Sequence, residues 1–356
     1  MGKTWLQDLI IEEARELVAD LRNTLAKPVN PMQYLSPTIA NVVCAISLGK
    51  CFSHKDENFR RLSTLISENS QTAAKNLLVE YFPFLRFVPF TRFSERYQAW
   101  MTNMADLSAF FKPLIQQHKQ TLYEGEPRDY LHAYMLESEK QKDNPTTSFT
   151  SEQLLISIAD LVGAGTDTTA TTLAWAILYL IENPAVHERV QKEIDGVLGD
   201  GRYPTLNDRG SLPYTQATIF EVQRLANLIA VVQRRAMQEV TLSEYALPAG
   251  TDVVFLFSAV HEDPQFFPQP LAFKPERFLD ESGKLRSRIE GFIPFSIGKR
   301  ACLGEALAKM ELYIFFVSLV KNFRFVVPPE EAVNSNDSLL FVVNSPVPYH
   351  VIFEPR

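Results

Sequence analysis

Residues 151–181 constrain the fold of this chain more than any other stretch. They form its longest apolar helical pattern, opened by Thr150-Ser-Glu-Gln153, which fits a capping box: a threonine N-cap with a glutamine three positions on. A helix apolar on nearly every side has to be buried, so the remaining segments have to wrap it. Its middle departs from that pattern. Gly163-Ala-Gly-Thr-Asp-Thr-Thr-Ala-Thr-Thr172 is built from poor helix formers. A buried Asp167 is costly unless it is hydrogen-bonded or has a task. An isolated Asp in such a helix is most often a satisfied polar residue, and that reading stands beside a functional one.

The second feature is Phe295-Ser-Ile-Gly-Lys-Arg-Ala-Cys-Leu-Gly304. Behind it, Leu307, Met310, Ile314 and Val317 recur at helical spacing, which places Cys302 in a tight loop at a helix N-terminus. The amides of Leu303 and Gly304, the helix dipole and nearby Arg300 all favour a thiolate there. A lone cysteine is usually a small core residue. Zinc is a poor alternative, because no second cysteine or histidine lies at ligand spacing.

The other segments are helical for most of the length. Residues 5–25 read as an amphipathic helix ended by Pro28 and Pro31. Ser36-Pro37 reads as an N-cap with proline at the first helical position, opening a helix that runs to Gly49. Further helices are expected over 56–80 and 93–123, with a polar surface loop at 138–149. Asn183-Pro184 caps a helix ending near Gly199, and Leu212-Pro213 precedes another that carries Glu221 and Arg224 on one face. Val240–Tyr245 and Thr251–Leu256 read as two strands of one hairpin through Leu-Pro-Ala-Gly250. Residues 323–327 and 339–351 are β-prone. Tyr81–Phe90 is aromatic and broken by Pro83 and Pro89. It reads either as a buried connection or as a segment lying in a bilayer interface.

Phe295, Gly298, Arg300, Cys302 and Gly304 together spell F-x-x-G-x-R-x-C-x-G, which resembles the haem-binding loop of the cytochromes P-450. The wording around the cysteine looks like microsomal animal members of the family 2 type. The resemblance implies a mainly α fold with a small β portion and haem b as cofactor. Cys302 is then the axial iron ligand, Phe295 packs over the sulfur, Arg300 pairs with a propionate, and Gly298 and Gly304 let the backbone approach the porphyrin. Ala164, Gly165, Asp167, Thr168 and Thr169 resemble the family's oxygen-activating segment. There the glycine and hydroxyls open the helix, Thr168 hydrogen-bonds oxygen and Asp167 relays protons. Glu221, Arg224 and Arg277 resemble its structural E-x-x-R and P-E-R-F lock. Arg234 or Arg235 stands where the family holds the other propionate, and the sequence leaves both open. The terminal hairpin, with its tip near Asn344–Val347, is expected to reach the substrate.

The function implied is insertion of one oxygen atom from O2 into an apolar small molecule, with electrons from an NADPH-dependent flavoprotein reductase. Lys299 and Lys309 are expected to face that donor. Tyr81–Phe90 corresponds to an access segment that dips into the membrane, which suggests the cytosolic face of the endoplasmic reticulum membrane. Net charge is −7, so nucleic acid is not an expected partner. Three cysteines make no disulfide framework and fit a reducing compartment. The apolar runs are too short for a membrane-spanning helix, and the first residues do not read as a signal peptide. The resemblance covers one domain, residues 1–356. It lacks the family's anchor, most of its sheet and the W-x-x-x-R helix that grips a propionate. None of Trp5, Trp100 and Trp175 is followed by arginine four residues on. Two other readings stay open: a shortened product that binds haem weakly and catalyses nothing, and a haem-thiolate isomerase, against which the Asp167-Thr168 pair argues.

Overall fold

The computed structural model describes residues 3–199, 201–340 and 342–356, and the chain is mainly α-helical with a small β portion. The first helices are α1 (Lys3–Arg22), α2 (Met32–Leu48), α3 (Glu57–Lys75), α4 (Leu77–Tyr81), α5 (Arg92–Gln120) and α6 (Tyr130–Lys140). Then come α7 (Ser151–Glu182), α8 (Pro184–Leu198) and α9 (Pro213–Ala226). Strands β1 (Val231–Arg235), β2 (Val240–Leu242), β3 (Tyr245–Leu247) and β4 (Asp252–Leu256) precede the short α10 (Phe257–His261). After α11 (Glu305–Asn322) follow β5 (Phe323–Val326), β6 (Ser338–Leu340), β7 (Asn344–Pro346) and β8 (Ile352–Pro355).

Helix α7 is the axis of the molecule, but it is not buried evenly. Its second half, residues 169–180, is enclosed throughout, while in the first half only one stripe is buried, through Leu154, Ile158 and Val162. The two halves serve two cores. The larger packs Leu173, Trp175 and Ile177 against Ile10 and Leu17 of α1, Ile39 of α2, and Phe315 and Val317 of α11. The smaller packs the first-half stripe against Val43, Phe59, Phe111 and Leu131. Helix α2 reaches both cores and lies close along α7. A Cβ on Gly165 would sit 2.9 Å from Cγ2 of Val43. That glycine is therefore needed for helix packing, whereas nothing lies within 4 Å of the Cβ position of Gly163.

Several local expectations change. The first residue of α2, Met32, lies five residues before Pro37, which is inside the helix. Asn30 and Pro31 provide the start instead: Asn30 Oδ1 accepts the amide of Met32 at 2.9 Å, and Pro31 takes φ −60°. The helix expected over 56–80 breaks at Asn76, which separates α3 from α4. The span 138–149 is helical to Lys140, because Asp129 caps α6 by accepting the amide of His132 at 2.7 Å. At α7 only half of the capping box forms. Thr150 Oγ1 accepts the amide of Gln153 at 3.1 Å, while the glutamine side chain turns to Ser157.

The expected hairpin of 240–245 with 251–256 is not formed. β4 pairs antiparallel with β1, Val231 opposite Leu256, and the intervening β2 and β3 fold on each other. Leu242 pairs with Tyr245, so the turn is Ser243-Glu244, and Ser243 takes the positive φ, 53°, that such two-residue turns favour. At the C-terminus β5 pairs with β8 and β6 with β7. Asn344–Pro346 is thus strand rather than tip, and residue 341 lies outside the described residues.

Candidate active site

Cys302 sits just before α11 with its side chain free and exposed. The loop that carries it is pinned from inside. Phe295 C=O accepts the amide of Cys302 at 2.8 Å, and Gly298 C=O accepts that of Ala301 at 3.1 Å. Ser296 and Gly298 take positive φ, 63° and 77°, which lets the chain turn sharply enough to close these bonds. Gly304 is the N-cap of α11, and a Cβ there would lie 3.9 Å from the Cys302 sulfur. Arg300 and Lys299 form a short exposed 3-10 turn beside the thiol, and Arg300 has no ion-pair partner among the described residues. Lys309 is less free: it bonds Glu305 at 2.6 Å and lies 5.5 Å from the Phe295 ring centroid.

Glu221, Arg224 and Arg277 meet as the sequence pattern suggests. Arg224 donates two bonds of 2.8 Å to the Glu221 carboxylate, and Arg277 Nε donates a third at 3.0 Å. The backbone amide of Lys274 donates to the same carboxylate at 2.8 Å. Neither Glu221 nor Arg224 is exposed. Arg277 also caps three carbonyls, of Pro268, Gln269 and Ala272. Arg224 reaches on to the carbonyl of His261 at 2.8 Å.

His261 was not legible as a site residue, yet it joins this lock to the cysteine loop. Burial and the nearby Arg224 charge lower its pKa to about 4, so the ring is neutral. A neutral ring donates from one nitrogen and accepts at the other. Nδ1 donates to Asn227 Oδ1 at 3.0 Å, and Nε2 accepts the amide of Ile293 at 3.2 Å. Ile293 C=O in turn accepts the amide of Ser296 at 3.0 Å, next to the residue that holds Cys302. A lone histidine in the sequence carries no signal of this role, because its partners, Arg224 and Asn227 at the end of α9 and Ile293 in the later loop, are about thirty or more residues away.

On α7, Asp167 and Thr168 point to different sides. Asp167 lines a cavity of about 860 Å³ with Thr171, Pro37 and Tyr349, and burial raises its carboxyl above the usual range against a bond to Ser70. Thr168 and Cys302 do not line that cavity. The Thr168 hydroxyl donates to Ala164 C=O at 2.7 Å, bonding back along its own helix. Gly165, expected to open the helix for oxygen, instead admits α2.

The contact between α7 and α11 is polar and buried. Thr169 Oγ1 lies 3.3 Å from Oε2 of Glu311, which is 1% exposed. The other oxygen of Glu311 has no hydrogen-bond partner among the described residues, and burial pushes its carboxyl well up. Glu311 is six residues into α11, about 9 Å along the axis. This pair therefore brings the threonine segment to the end of α11 that carries Cys302. A charge inside the run Leu307–Val320 was the sequence signal for it, of the same kind as Asp167.

Strand alternation separates the two arginines of β1. Arg235 is exposed and committed to Asp252 at 2.8 and 3.1 Å. Arg234 is half-buried on the other face and has no carboxylate partner among the described residues.

The face around Cys302 fits a flat apolar group with anionic substituents that brings its own further metal donors. The thiol is the single soft donor there. Among the described residues no second histidine, cysteine or carboxylate groups with it at metal-ligand spacing. Ile297 and Leu303 stand 70% and 88% exposed beside it. Arg300, beside the thiol, has no anion among the described residues, and neither has Arg234 on β1. Haem answers each of these features.

Comparison with known proteins agrees. The cytochrome P450 family pattern matches residues 2–353. The chain is 38% identical to human cytochrome P450 2J2 and 39% identical to rat cytochrome P450 2J3, over all of its length and 70% of theirs. It is 35% identical to human cytochrome P450 2U1, over 65% of that protein.

Proposed function

The chain belongs to the cytochrome P450 family, and on that premise we propose that it is a haem-thiolate monooxygenase acting on an apolar small molecule. The observation that carries this is the exposed Cys302 thiol, presented by a pinned loop between unpaired cations and bare apolar side chains. Cys302 holds the iron of haem b, Arg300 and Arg234 hold its propionates, and Phe295, Gly298 and Gly304 shape the loop. Haem bound through a thiolate supplies the oxygen chemistry, since the thiolate favours cleavage of the O–O bond.

The chain's own residues manage protons and position. Asp167, its carboxyl raised by burial, takes protons at its oxygens from the solvent side of α7. The Thr168 hydroxyl, released from Ala164 C=O, presents a proton on the adjacent side of the helix. Glu221, Arg224, Arg277 and His261 keep the cysteine loop in place without touching the reacting atoms. Exposed Lys299 offers a positive charge to an acidic, NADPH-dependent flavoprotein reductase. The exposed aromatic residues of Tyr81–Phe90 support contact with a membrane surface, and the family relationship suggests the cytosolic face of the endoplasmic reticulum.

The test is spectroscopic. The chain reconstituted with haem, reduced and exposed to carbon monoxide is expected to give the strongly red-shifted Soret band of a thiolate ligand. Cys302→Ala is expected to lose it. A variant that keeps the band would remove Cys302 as the ligand and with it this reading.

A further inference from the structure

Away from the cysteine face, a second group of ligand-type side chains remains unused. Glu13, Glu16 and Asp20 lie along α1, and His54 lies in the connection between α2 and α3. A ring nitrogen of His54 and one oxygen each of Glu13 and Glu16 lie within 4.8 Å of one another. We propose that His54, Glu13 and Glu16 form a binding site for a divalent first-row metal ion, zinc being the natural probe, that ties α1 to the 51–56 connection.

The arrangement is built in two layers. His54 Nε2 is 3.1 Å from Glu13 Oε2, and Glu16 stands one helical turn further on the same face of α1. Asp20 Oδ2 lies 3.1 Å from the other ring nitrogen, Nδ1, which fixes the ring, and Glu16 Oε2 approaches Nδ1 at 4.0 Å. Asn41 Nδ2 holds Oε1 of Glu13 at 2.9 Å and is itself locked to the backbone of Phe52 on both sides. Metal-bound histidines and carboxylates are usually oriented by such outer partners. One nitrogen with two carboxylate oxygens suits zinc and its first-row neighbours better than magnesium, which prefers oxygen and water.

Charge points the same way independently of spacing. Three carboxylates face one imidazole, and none of the three has another ion-pair partner among the described residues. With His54 protonated the group carries a net charge of about −2, and a divalent ion with neutral His54 reduces this to about −1. Glu13 is buried, where uncompensated charge is costly. Asp20 and His54 also line the 860 Å³ cavity, which gives an ion a path in.

The experiment uses the full 356-residue chain in a Cys51→Ser, Cys302→Ser background, so that neither exposed thiol can take the probe. Zinc binding is measured by equilibrium dialysis and thermal shift, with magnesium as control. One zinc per chain is expected, with no comparable effect of magnesium. His54→Gln should lose it, and Asp20→Asn should weaken it by about 10–100-fold through the freed ring. Glu16 is exposed, so Glu16→Gln keeps the fold and carries the test if His54→Gln does not fold. Equal zinc binding by the parent and either ligand variant would overturn the site. Equal binding of zinc and magnesium would also overturn it, leaving an ordinary acidic surface.

Discussion

At the scale of single residues, His261 and Glu311 show how burial sets protonation and how protonation sets stability. The pKa of His261 is lowered to about 4 by burial and Arg224, and that of His187 to about 4 by burial and Arg356. In the unfolded chain each returns toward about 6.5. Between those values the unfolded state binds more protons, so stability is full above about 6.5 and is lost as pH falls toward 4. For His261 the difference is worth roughly 3 kcal/mol. Urea unfolding from pH 7 to pH 5 should show this loss, and His261→Gln should flatten it, since glutamine still accepts from Ile293. An unchanged slope in the variant would mean that another group carries it. His54 acts in the opposite sense. Its pKa is raised by its carboxylate partners against burial, so its contribution is full below 6.5 and fades as pH rises through the folded value. Glu311 is a raised carboxyl of the costly kind. Above the unfolded value of about 4.5 the unfolded chain ionises more readily than the folded one, so stability falls as pH rises through the interval between the two values. Glu311→Gln keeps a partner for Thr169 and should be more stable than the parent at pH 8, with the gain vanishing toward pH 4.5. A gain that does not depend on pH would show that Glu311 is ionised in place.

At the scale of elements, two contacts decide whether the helices hold their places. Arg224→Ala strands the Glu221 charge and frees the carbonyl of His261, at a cost of about 3–5 kcal/mol. It should lower haem occupancy together with the midpoint of denaturation; a variant normal in both would make the lock dispensable. Gly165→Ala improves helix propensity by up to about 1 kcal/mol, but its methyl meets Val43 at 2.9 Å, an overpacking that costs about 1–3 kcal/mol. A net loss is expected, and Val43→Ala in the same chain should recover part of it, which a thermal melt of the double variant tests. These contacts also explain what could be read in advance. The cap of α7, the loop before α11 and the i,i+3 pair on α9 are local, so residue spacing was enough to find them. The pairing of β4 with β1 is not local. Pro248-Ala-Gly250 looked like the turn of a hairpin, while the turn actually used, Ser243-Glu244, has no glycine or asparagine. Ser36-Pro37 read as the helix start, and only the structure shows that α2, packed on both cores, begins earlier, after Asn30-Pro31. Gly165 resembled an opening in a helix, and only the position of Val43 shows that it is a close approach.

At the scale of the whole molecule, polar and apolar surface are divided unevenly. The chain is acidic overall, at −7, yet the cysteine face presents Lys299 and Arg300, and the 81–90 segment presents aromatic rings. A connection buried within the fold, one of the two readings of that segment, does not occur. Tyr81, Phe82, Phe84 and Phe87 are exposed, and Phe90 is 99% exposed with φ 59°. Proline and the short 3-10 turn Pro83–Phe87 prevent the segment from folding its rings inward as one amphipathic helix. No described helix is long and apolar enough to cross a membrane. In the proposed membrane role these side chains insert into an interface, to which each phenylalanine would contribute about 1.5–3 kcal/mol if fully buried. Replacing Phe84, Phe87 and Phe90 together by serine should lower partitioning onto neutral phosphatidylcholine vesicles by at least about tenfold, even if only part of each ring is buried. Flotation of the parent and the variant through a density gradient measures it. Adding salt should leave the parent's binding nearly unchanged, because the attraction is apolar rather than ionic. Binding that collapses in salt, or that survives the triple replacement, would assign the membrane face to the basic surface instead.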